Sequence, residues 1–353
     1  MRSSRSLGII YAFSAAILFG FSTPLAKLLI GEVPPVMLAG LLYGGPGLGL
    51  SAWMMLRKFQ RGKEPSAHLT RQDAPWLAGA VLAGGVAAPV LLMFGITLIP
   101  ASSAALLLNL EGVFTALMAW FVFEENFDRR IFLGMVLIIV AGVLLSWQGR
   151  AGGRLALGGL LVAAACFCWS IDNNLTRKVS ASDPVQIAAI KGAVAGVVNI
   201  GIALTIGETL PDYPIAAQAA VVGLTGYGIS LVLFVLALRH LGTARTGAYF
   251  SVAPFFGAVV SVLLLHESPL PLFWVAGALM GAGIWLHVTE RHEHQHTHEE
   301  KAHEHAHVHD EHHQHEHDFP WDGQEPHTHF HRHAQLTHKH LHYPDIYHQH
   351  KHP

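Results

Sequence analysis

Histidine is the most frequent chemistry-bearing residue near the end of the chain, where residues 303–317 read HEHAHVHDEHHQHEH. Four of the 26 histidines lie before residue 291, which leaves 22 in residues 291–353. Neutral imidazole is a good ligand for Zn, Cu and Ni, and His-x-His spacing in a flexible chain offers overlapping ligand sets. We therefore predict redundant metal binding rather than one defined site. The histidines concerned are His292, His294, His296, His298, His303, His305, His307, His309, His312, His313, His315, His317, His327, His329, His331 and His333.

The same segment lacks the apolar periodicity that could build a core, so residues 291–353 are predicted to be a disordered tail. Interleaved acidic residues such as Glu304 and Asp310 add negative charge that attracts cations. No cofactor is required, and Ni, Co, Zn or Cu are the ions expected to bind. A pH-responsive tail is a compatible interpretation, because histidine gains charge on mild acidification.

A second set of reactive side chains lies inside apolar stretches, where an ionisable group is costly and indicates function by default. Glu111, beside Asn109, is the best candidate for a proton- or substrate-binding carboxylate, with a structural ion pair as the alternative. Lys27 lies near the end of its stretch and could instead reach the interface. The remaining candidates for a transport pathway are Asp172, Asn173, Asn174 and Lys191. Of these, Asp172 and Lys191 could also form a structural pair.

These residues must be positioned by membrane-spanning helices. The chain is 52% hydrophobic and 13% charged, against about 25% charged in soluble domains. A span needs about 20 apolar residues, which gives an all-α membrane protein with ten predicted spans. Their ranges are 8–30, 34–56, 75–98, 101–123, 131–147, 156–175, 184–206, 216–238, 243–265 and 271–288. Small residues four apart would allow close helix packing: Gly40/Gly44, Gly192/Gly196 and Gly277/Gly281.

The basic residues flanking these spans are distributed unevenly, and this bias predicts orientation. One side holds only Arg150 and Arg154. The other side holds Arg2, Arg5, Arg57, Lys58, Arg61, Lys63, Arg71, Arg129, Arg130, Arg177, Lys178, Arg239, Arg245 and Arg291. Both termini, and with them the histidine tail, are therefore predicted to be cytoplasmic, in a bacterial inner membrane.

The two halves of the apolar part resemble each other. PPVMLAGLL (34–42) aligns with DPVQIAAIK (183–191), and FGFSTPLAKL (19–28) aligns with WSIDNNLTRKV (169–179), which sets Lys27 against Arg177. AWFVFEE (119–125) aligns with SVLLLHE (261–267). Each half has five spans, so the halves must be inverted, with a substrate site between them and alternating access. The predicted domains are 1–150, 151–290 and the tail 291–353.

These segments resemble the EamA family of the drug/metabolite transporter superfamily. The motifs are LFGFSTPLAK, VPPVMLAGLLY and NLEGVFTALMAWFVFEE, with weaker copies in the second half. The resemblance covers about residues 1–290 and implies ten helices that export or exchange small solutes. It also implies an Arg at the position of Leu42, whereas the second half keeps a cation there, Lys191.

Two functions follow. The first is a secondary transporter that exports a small solute or metabolite, with a metal-binding regulatory tail. The alternative is a divalent transition-metal transporter whose tail gathers or buffers the ion. No nucleotide-binding loop, HExxH motif or nucleophile–base pair is present in the sequence, so an enzyme is not expected. The expected partners are the substrate and the lipid bilayer, with a possible homodimer and no nucleic acid.

Overall fold

The computed structural model describes residues 2–61, 69, 71, 73–123, 129–146, 152–179, 182–241, 243–288, 293–298, 301–307, 327–333 and 336–341. The chain forms two units, Met1–Glu290 with Asp345–Pro353, and Arg291–Pro344. In the first unit the described elements are helical.

The first half of the helical unit contains these elements: α1 Arg2–Leu29, α2 Pro35–Arg61, α3 Ala74–Ala80, the π-helix π1 Val81–Ala87, α4 Ala88–Leu98, α5 Ala101–Leu107, α6 Leu110–Phe123 and α7 Arg129–Ser146. The second half contains α8 Gly152–Val179, α9 Pro184–Thr205, α10 Tyr213–Gly223, the π-helix π2 Leu224–Ile229, α11 Ser230–Leu241, α12 Thr243–Phe250, α13 Ala253–Leu264 and α14 Pro271–Val288.

Eight helical stretches of the described residues are long and apolar enough to cross a membrane. They are Ser6–Leu29, Pro35–Lys58, Ala74–Leu98, Ala101–Met118, Arg129–Ser146, Gly153–Thr176, Pro184–Thr205 and Tyr213–Ala237. Two shorter apolar helices, Ala253–Leu264 and Pro271–Leu286, occupy the places of the last two predicted spans. Large apolar side chains cover the outside of the unit, such as Leu48, Phe121 and Leu160, which are 67–76% exposed. A surface of this kind suits lipid rather than water.

Two of the predicted spans are broken in the middle. The fourth is divided into α5 and α6 at Leu108 and Asn109, where the Asn109 Nδ2 donates to the Leu106 carbonyl (2.9 Å) and competes with the helical pattern. The ninth is divided into α12 and α13 just before Pro254, which cannot donate a helical backbone hydrogen bond. Both breaks fall at equivalent places in the two halves.

The helices pack in pairs that correspond between the halves. α2 packs along α9, α7 against α14, and α5 against α13. α4 of the first half packs on α8 of the second, and the corresponding pair is α11 of the second half on α1 of the first. The close approach of α2 and α9 depends on glycine, because a Cβ added at Gly196 would lie 2.7 Å from the Gly44 Cα. The predicted role of the Gly40/Gly44 and Gly192/Gly196 pairs is confirmed, whereas a Cβ at Gly281 would meet no heavy atom within 4 Å.

The second unit contains four short strands, β1 Glu293–His298, β2 Lys301–His307, β3 His327–His333 and β4 Leu336–Leu341. β1 pairs antiparallel with β4, and β2 pairs antiparallel with β3. The prediction of disorder is wrong for these four segments. Histidine recurs at every second position in these segments, which matches the period of a strand. The prediction of disorder considered only the missing apolar core.

The strand register places many of the predicted ligand positions opposite one another. His294 and His296 pair with His340 and His338. His303, His305 and His307 pair with His331, His329 and His327, while His298 and His333 lie opposite Leu336 and Lys301. Of the predicted ligands, His292, His309, His312, His313, His315 and His317 lie outside the described residues.

Candidate functional site

Four of the predicted pathway residues meet in the middle of the helical unit. Glu111 comes from the first turn of α6, Asp172 and Asn173 from α8, and Lys191 from α9. The broken fourth span matters here, because Glu111 follows the break directly and its side chain projects from the start of a half-helix. Glu111 lies within electrostatic range of both Asp172 and Lys191.

The Glu111 carboxylate has an uncharged hydrogen-bond partner. The Asn173 Nδ2 donates to the Glu111 Oε1 over 2.7 Å. Asn173 is exposed and Glu111 is half-buried. This contact joins α6 of the first half to α8 of the second.

Asp172 and Lys191 form the ion pair that the sequence allowed. The Lys191 Nζ lies 2.5 Å from the Asp172 Oδ1, and the two side chains are only 12% and 8% exposed. Thr176 completes the group, because its hydroxyl donates to the Asp172 Oδ1 (2.8 Å) and accepts from the Lys191 Nζ (3.1 Å). The pair therefore neutralises both buried charges and has a third partner to hold its geometry.

The π-helix π1 supports this ion pair from the side of α3 and α4. Pro89 has no N–H, so the Gly84 and Gly85 carbonyls lose the donor that lies five or four residues further along a helix. The Ala88 N–H bonds to the Ala83 carbonyl, in the i to i−5 pattern of a π-helix. The two freed carbonyls are thus available to side chains of other helices.

Three side chains use these carbonyls. The Tyr43 hydroxyl and the Trp169 Nε1 donate to the Gly84 carbonyl over 2.7 and 3.0 Å. The Asn199 Nδ2 donates to the Gly85 carbonyl over 2.9 Å, while its Oδ1 is buried without a hydrogen-bond partner. Gly84 also borders Asp172 so closely that an added Cβ would overlap the Asp172 carboxylate.

Aromatic rings lie next to the polar group. Tyr43 stacks on Tyr227 of π2, with ring centroids 5.5 Å apart and planes at 25°. Phe19 meets the same Tyr227 edge-on at 6.0 Å. Since Tyr43 comes from the first half and Tyr227 from the second, this stack crosses the boundary between the halves beside the ion pair.

The site is more exposed on one side than on the other. Asn173 lies four residues after the buried Trp169 and seven after the buried Cys166, so it shares their inward-facing side of α8, yet it is exposed. On the other side of Glu111, each residue from Ala101 to Leu110 is buried. Asn173, the exposed member of the group, therefore lies in the half of the bundle in which α8 ends, which we call the open half; we call the opposite half, in which α5 is buried throughout, the closed end.

Charged side chains bind helix ends at the closed end of the bundle. The Lys27 Nζ donates to the carbonyls of Ile96 and Ile99, at the end of α4. Glu267 accepts hydrogen bonds from the N–H groups of Ala101 (2.7 Å) and Ser102 (3.0 Å), at the start of α5. Lys27 is therefore held at this end of the bundle and lies apart from the group around Glu111.

A second carboxylate of the second half acts in the same way. Glu208, which follows α9, accepts a hydrogen bond from the Met37 N–H in the first turn of α2 (2.8 Å). Glu208 and Glu267 thus both cap helices of the first half. We call these two contacts the carboxylate latches.

The other two predicted pathway residues bond locally. Asn109 bonds to Leu106, as described above, and lies 3.7 Å from the Met280 Sδ. Asn174 is buried, and its Nδ2 donates to the Ser170 carbonyl one turn earlier (2.8 Å). Within the described residues, neither amide donates a hydrogen bond to Glu111 or to the ion pair.

Two further observations concern possible ligands. A cavity of about 420 Å³ lies between α1 and α10, but residues such as Leu25, Leu28 and Val221 give it an apolar lining away from the polar group. Within the described residues, no group of three or more His, Cys, Asp or Glu side chains is placed to hold a metal ion.

Sequence reasoning missed Tyr43, Thr176, Asn199 and the glycines of π1. An uncharged side chain in an apolar stretch does not stand out as a functional candidate, whereas a charged side chain does. The only available signal was the sequence GGVAAP (84–89), in which a proline follows two glycines at the distance that frees their carbonyls.

The apolar helices, the buried ion pair and the half-open polar site between two similar halves define a multi-pass integral membrane transporter. The EamA-like transporter family matches this chain twice, over residues 6–147 and 156–289. The chain therefore belongs to that family.

Several relatives support the same class. An uncharacterized transporter of Methanothermobacter thermautotrophicus is 30% identical over 80% of this chain and 86% of its own length. A protein of Escherichia coli named as a probable amino-acid metabolite efflux pump is 25% identical over 81% of this chain and 95% of its own. One of Streptantibioticus cattleyicolor, named as a probable terminal-alkyne amino-acid exporter, is 27% identical over 61% and 73%. A crystal structure that is 18% identical shares the fold, with a TM-score of 0.59 over 80% of this chain and 96% of that one.

Proposed function

We propose that this protein exports a small amine-bearing solute, of the size of an amino acid, by alternating access between two inverted halves. The observation that carries the proposal is the polar group of Glu111, Asn173, Asp172 and Lys191. It joins helices of both halves, and its exposed member Asn173 lies in the open half of the bundle, while α5 is buried at the closed end.

The inverted repeat with ten crossings is supported by matching irregularities. π1 and π2 lie at equivalent places, and so do the breaks in the fourth and ninth spans. Gly84 of π1 packs against Asp172, while Gly226 of π2 packs against Ser22, the residue that the repeat alignment sets against Asp172. Two halves with the same irregularities and an odd number of spans provide the two similar bundles that alternating access requires.

The charge of the site favours a cationic group on the cargo. Lys191 is neutralised by Asp172, and Lys27 is bound to backbone carbonyls at the closed end. Glu111 then remains as a carboxylate with an uncharged partner. The relatives from Escherichia coli and Streptantibioticus cattleyicolor are named as a probable amino-acid metabolite efflux pump and a probable terminal-alkyne amino-acid exporter. Both names agree with a cargo that carries an amine.

The bias of Lys and Arg in the loops supports an orientation with both termini in the cytoplasm of a bacterial inner membrane. In this orientation the half of the bundle in which α8 ends faces the cytoplasm, so the site is open to cargo from inside the cell. A homodimer stays a prediction.

A counterflow measurement tests this function. Proteoliposomes loaded with one unlabelled amino acid at a time, across the twenty proteinogenic ones, are expected to take up the labelled form of the transported ones faster than protein-free vesicles. Glu111→Gln is expected to abolish that excess, while Glu32→Gln, at an exposed position between α1 and α2, is the matched control and is expected to retain it. If the panel shows no excess, or if Glu111→Gln equals the wild type, the proposed site is wrong.

A second candidate function rests on the tail. We propose that the histidine-rich segment binds divalent transition metals and regulates the carrier or supplies it with metal. The register supports this proposal, since histidines two apart on β2 lie opposite histidines two apart on β3. Residues two apart on a strand share a face, so the register gathers several histidine positions of β2 and β3 on one face of the pair.

Deletion of residues 291–353 separates the two roles of the tail. We expect the full chain, and not the shortened one, to bind Ni, Co, Zn or Cu in equilibrium dialysis, because imidazole prefers these ions. In cells, amino-acid export that survives the deletion but no longer responds to metal indicates regulation. Loss of a metal flux indicates a metal transporter. Equal metal binding by both chains would contradict the proposal.

A further inference from the structure

We propose that Glu111 is an exchange site, at which a proton and the ammonium group of the cargo replace each other, so that export of the cargo is coupled to entry of one proton. This inference rests on the proposed function and deepens it, because it assigns both the recognised group and the coupling ion to a single carboxylate.

The charges around the site leave Glu111 without a counter-charge of its own. The described residues within electrostatic range of Glu111 include Asp172, Lys191, Cys166 and Tyr43. Asp172 and Lys191 cancel each other through a contact of 2.5 Å. Cys166 and Tyr43 bear no charge at neutral pH, and both are buried. One carboxylate is therefore left to be neutralised in a medium where an uncompensated charge is costly.

The hydrogen-bond partner that Glu111 does have is uncharged. The Asn173 amide donates a single hydrogen bond of 2.7 Å to Oε1. An amide orients the carboxylate but cannot neutralise it, and the structure gives Oε2 no hydrogen bond among the described residues. A protonated carboxyl keeps the Asn173 bond, because its carbonyl oxygen still accepts. An ammonium group replaces the proton as a compensating charge and brings three donors of its own.

Glu111 and Asp172 also differ in how far their surroundings are exposed. Asn173 is exposed on the inward-facing side of α8, so the Glu111–Asn173 pair borders the open half of the bundle. Asp172 and Lys191 are more deeply buried, and Thr176 and Gly84 hold them in place. Glu111, beside the exposed Asn173, can therefore exchange its ligand, while the Asp172–Lys191 pair keeps each charge occupied. This division assigns the exchange to Glu111 and not to Asp172.

The aromatic neighbours favour ammonium over a metal ion. Tyr43 lies within electrostatic range of Glu111 and stacks on Tyr227. The face of an aromatic ring attracts an organic cation, whereas a divalent metal ion requires several charged or imidazole ligands, and no such group is present among the described residues.

The exchange balances as follows. Cargo arriving from the cytoplasm places its ammonium on ionised Glu111, and the proton that Glu111 carried leaves to the cytoplasm. After the bundle opens to the other side, a proton binds the carboxylate and the cargo departs. A protonated, neutral Glu111 then returns. One proton enters for each cargo molecule that leaves, and no bond other than that to the proton is made or broken.

The experiment uses proteoliposomes that contain the full chain and a trapped pH indicator. The probes are three matched forms of each amino acid that moves in counterflow: the free amino acid, its amide, which keeps the ammonium and lacks the carboxylate, and its N-acetyl derivative, which lacks the ammonium. We expect an imposed proton gradient to drive the free amino acid and the amide in the direction opposite to the protons. The N-acetyl form is expected to move no faster than in protein-free vesicles.

Variants locate the coupling. Glu111→Gln is expected to lose both the gradient-driven flux and the proton movement, Glu111→Asp to keep part of both, and Glu32→Gln to keep all. If cargo moves in the wild type but its flux ignores the proton gradient, or if the N-acetyl form moves as well as the amide, the inference is overturned and the exporter function stands.

If no probe moves, the exporter function fails, and a measurement without cargo decides the inference. The pH-dependent infrared difference spectrum of the wild type is expected to contain the carbonyl band of a protonated carboxylic acid that Glu111→Gln lacks and Glu32→Gln retains. Absence of that difference overturns the exchange site.

Discussion

Replacing Asp172 with Asn while Lys191 is kept is expected to lower the stability of the helical unit by about 3–5 kcal/mol, because a buried ammonium then loses its counter-charge. Lys191→Met should cost a similar amount, since it leaves the Asp172 carboxylate alone beside Gly84. The double variant should recover much of the loss, because it buries no net charge. Thermal unfolding in detergent micelles, followed by circular dichroism, measures all three.

The matched control is Asp212→Asn, at the exposed start of α10, where the side chain makes no capping hydrogen bond. It should unfold at the wild-type temperature. A double variant as unstable as the worse single variant would show that Asp172 and Lys191 do not act as a pair, and that Thr176 or π1 holds each of them separately.

The second large effect is expected for Gly84→Ala. The added methyl group would overlap the Asp172 carboxylate and press it away from Lys191 and Thr176. Overpacking of this kind costs about 1–3 kcal/mol, and we expect amino-acid counterflow to fall with it, because the carboxylate moves beside the site of Glu111.

Gly201→Ala in α9 is the matched control for Gly84→Ala. It is also a helical glycine, but an added Cβ there meets no heavy atom within 4 Å. The control should leave counterflow unchanged and stability equal or slightly higher, as alanine favours a helix by about 1 kcal/mol over glycine. Equal behaviour of the two variants would mean that Asp172 can move aside without loss.

Charge made much of the site predictable from the sequence. Glu111, Asp172 and Lys191 stand out because a bilayer penalises each of them, and the spacing along α8 and α9 already allowed the last two to pair. The alignment of the halves likewise predicted a substrate site between them. The family resemblance is confirmed by two matches, one in each half.

Other parts of the site could not be read from apolarity. The π-helix π1 and the breaks in the fourth and ninth spans involve Pro89, Asn109 and Pro254, whose effect on the backbone leaves the hydropathy of the stretch unchanged. The hydrogen bonds of Lys27 could not be predicted from the sequence either, because its partners are the main-chain carbonyls of Ile96 and Ile99, which any sequence would provide. The strands of the tail were missed because composition was weighed above period.

The carboxylate latches constrain the amino-acid sequences of the two halves unequally. Their acceptors are the side chains of Glu208 and Glu267, but their donors are main-chain N–H groups at Met37, Ala101 and Ser102. Mutations at these three donor positions leave the N–H in place unless they introduce proline. In the proposed alternating access, the ease with which the closed end parts is therefore inherited through two codons of the second half, while these three donor positions of the first half can drift among all residues but proline.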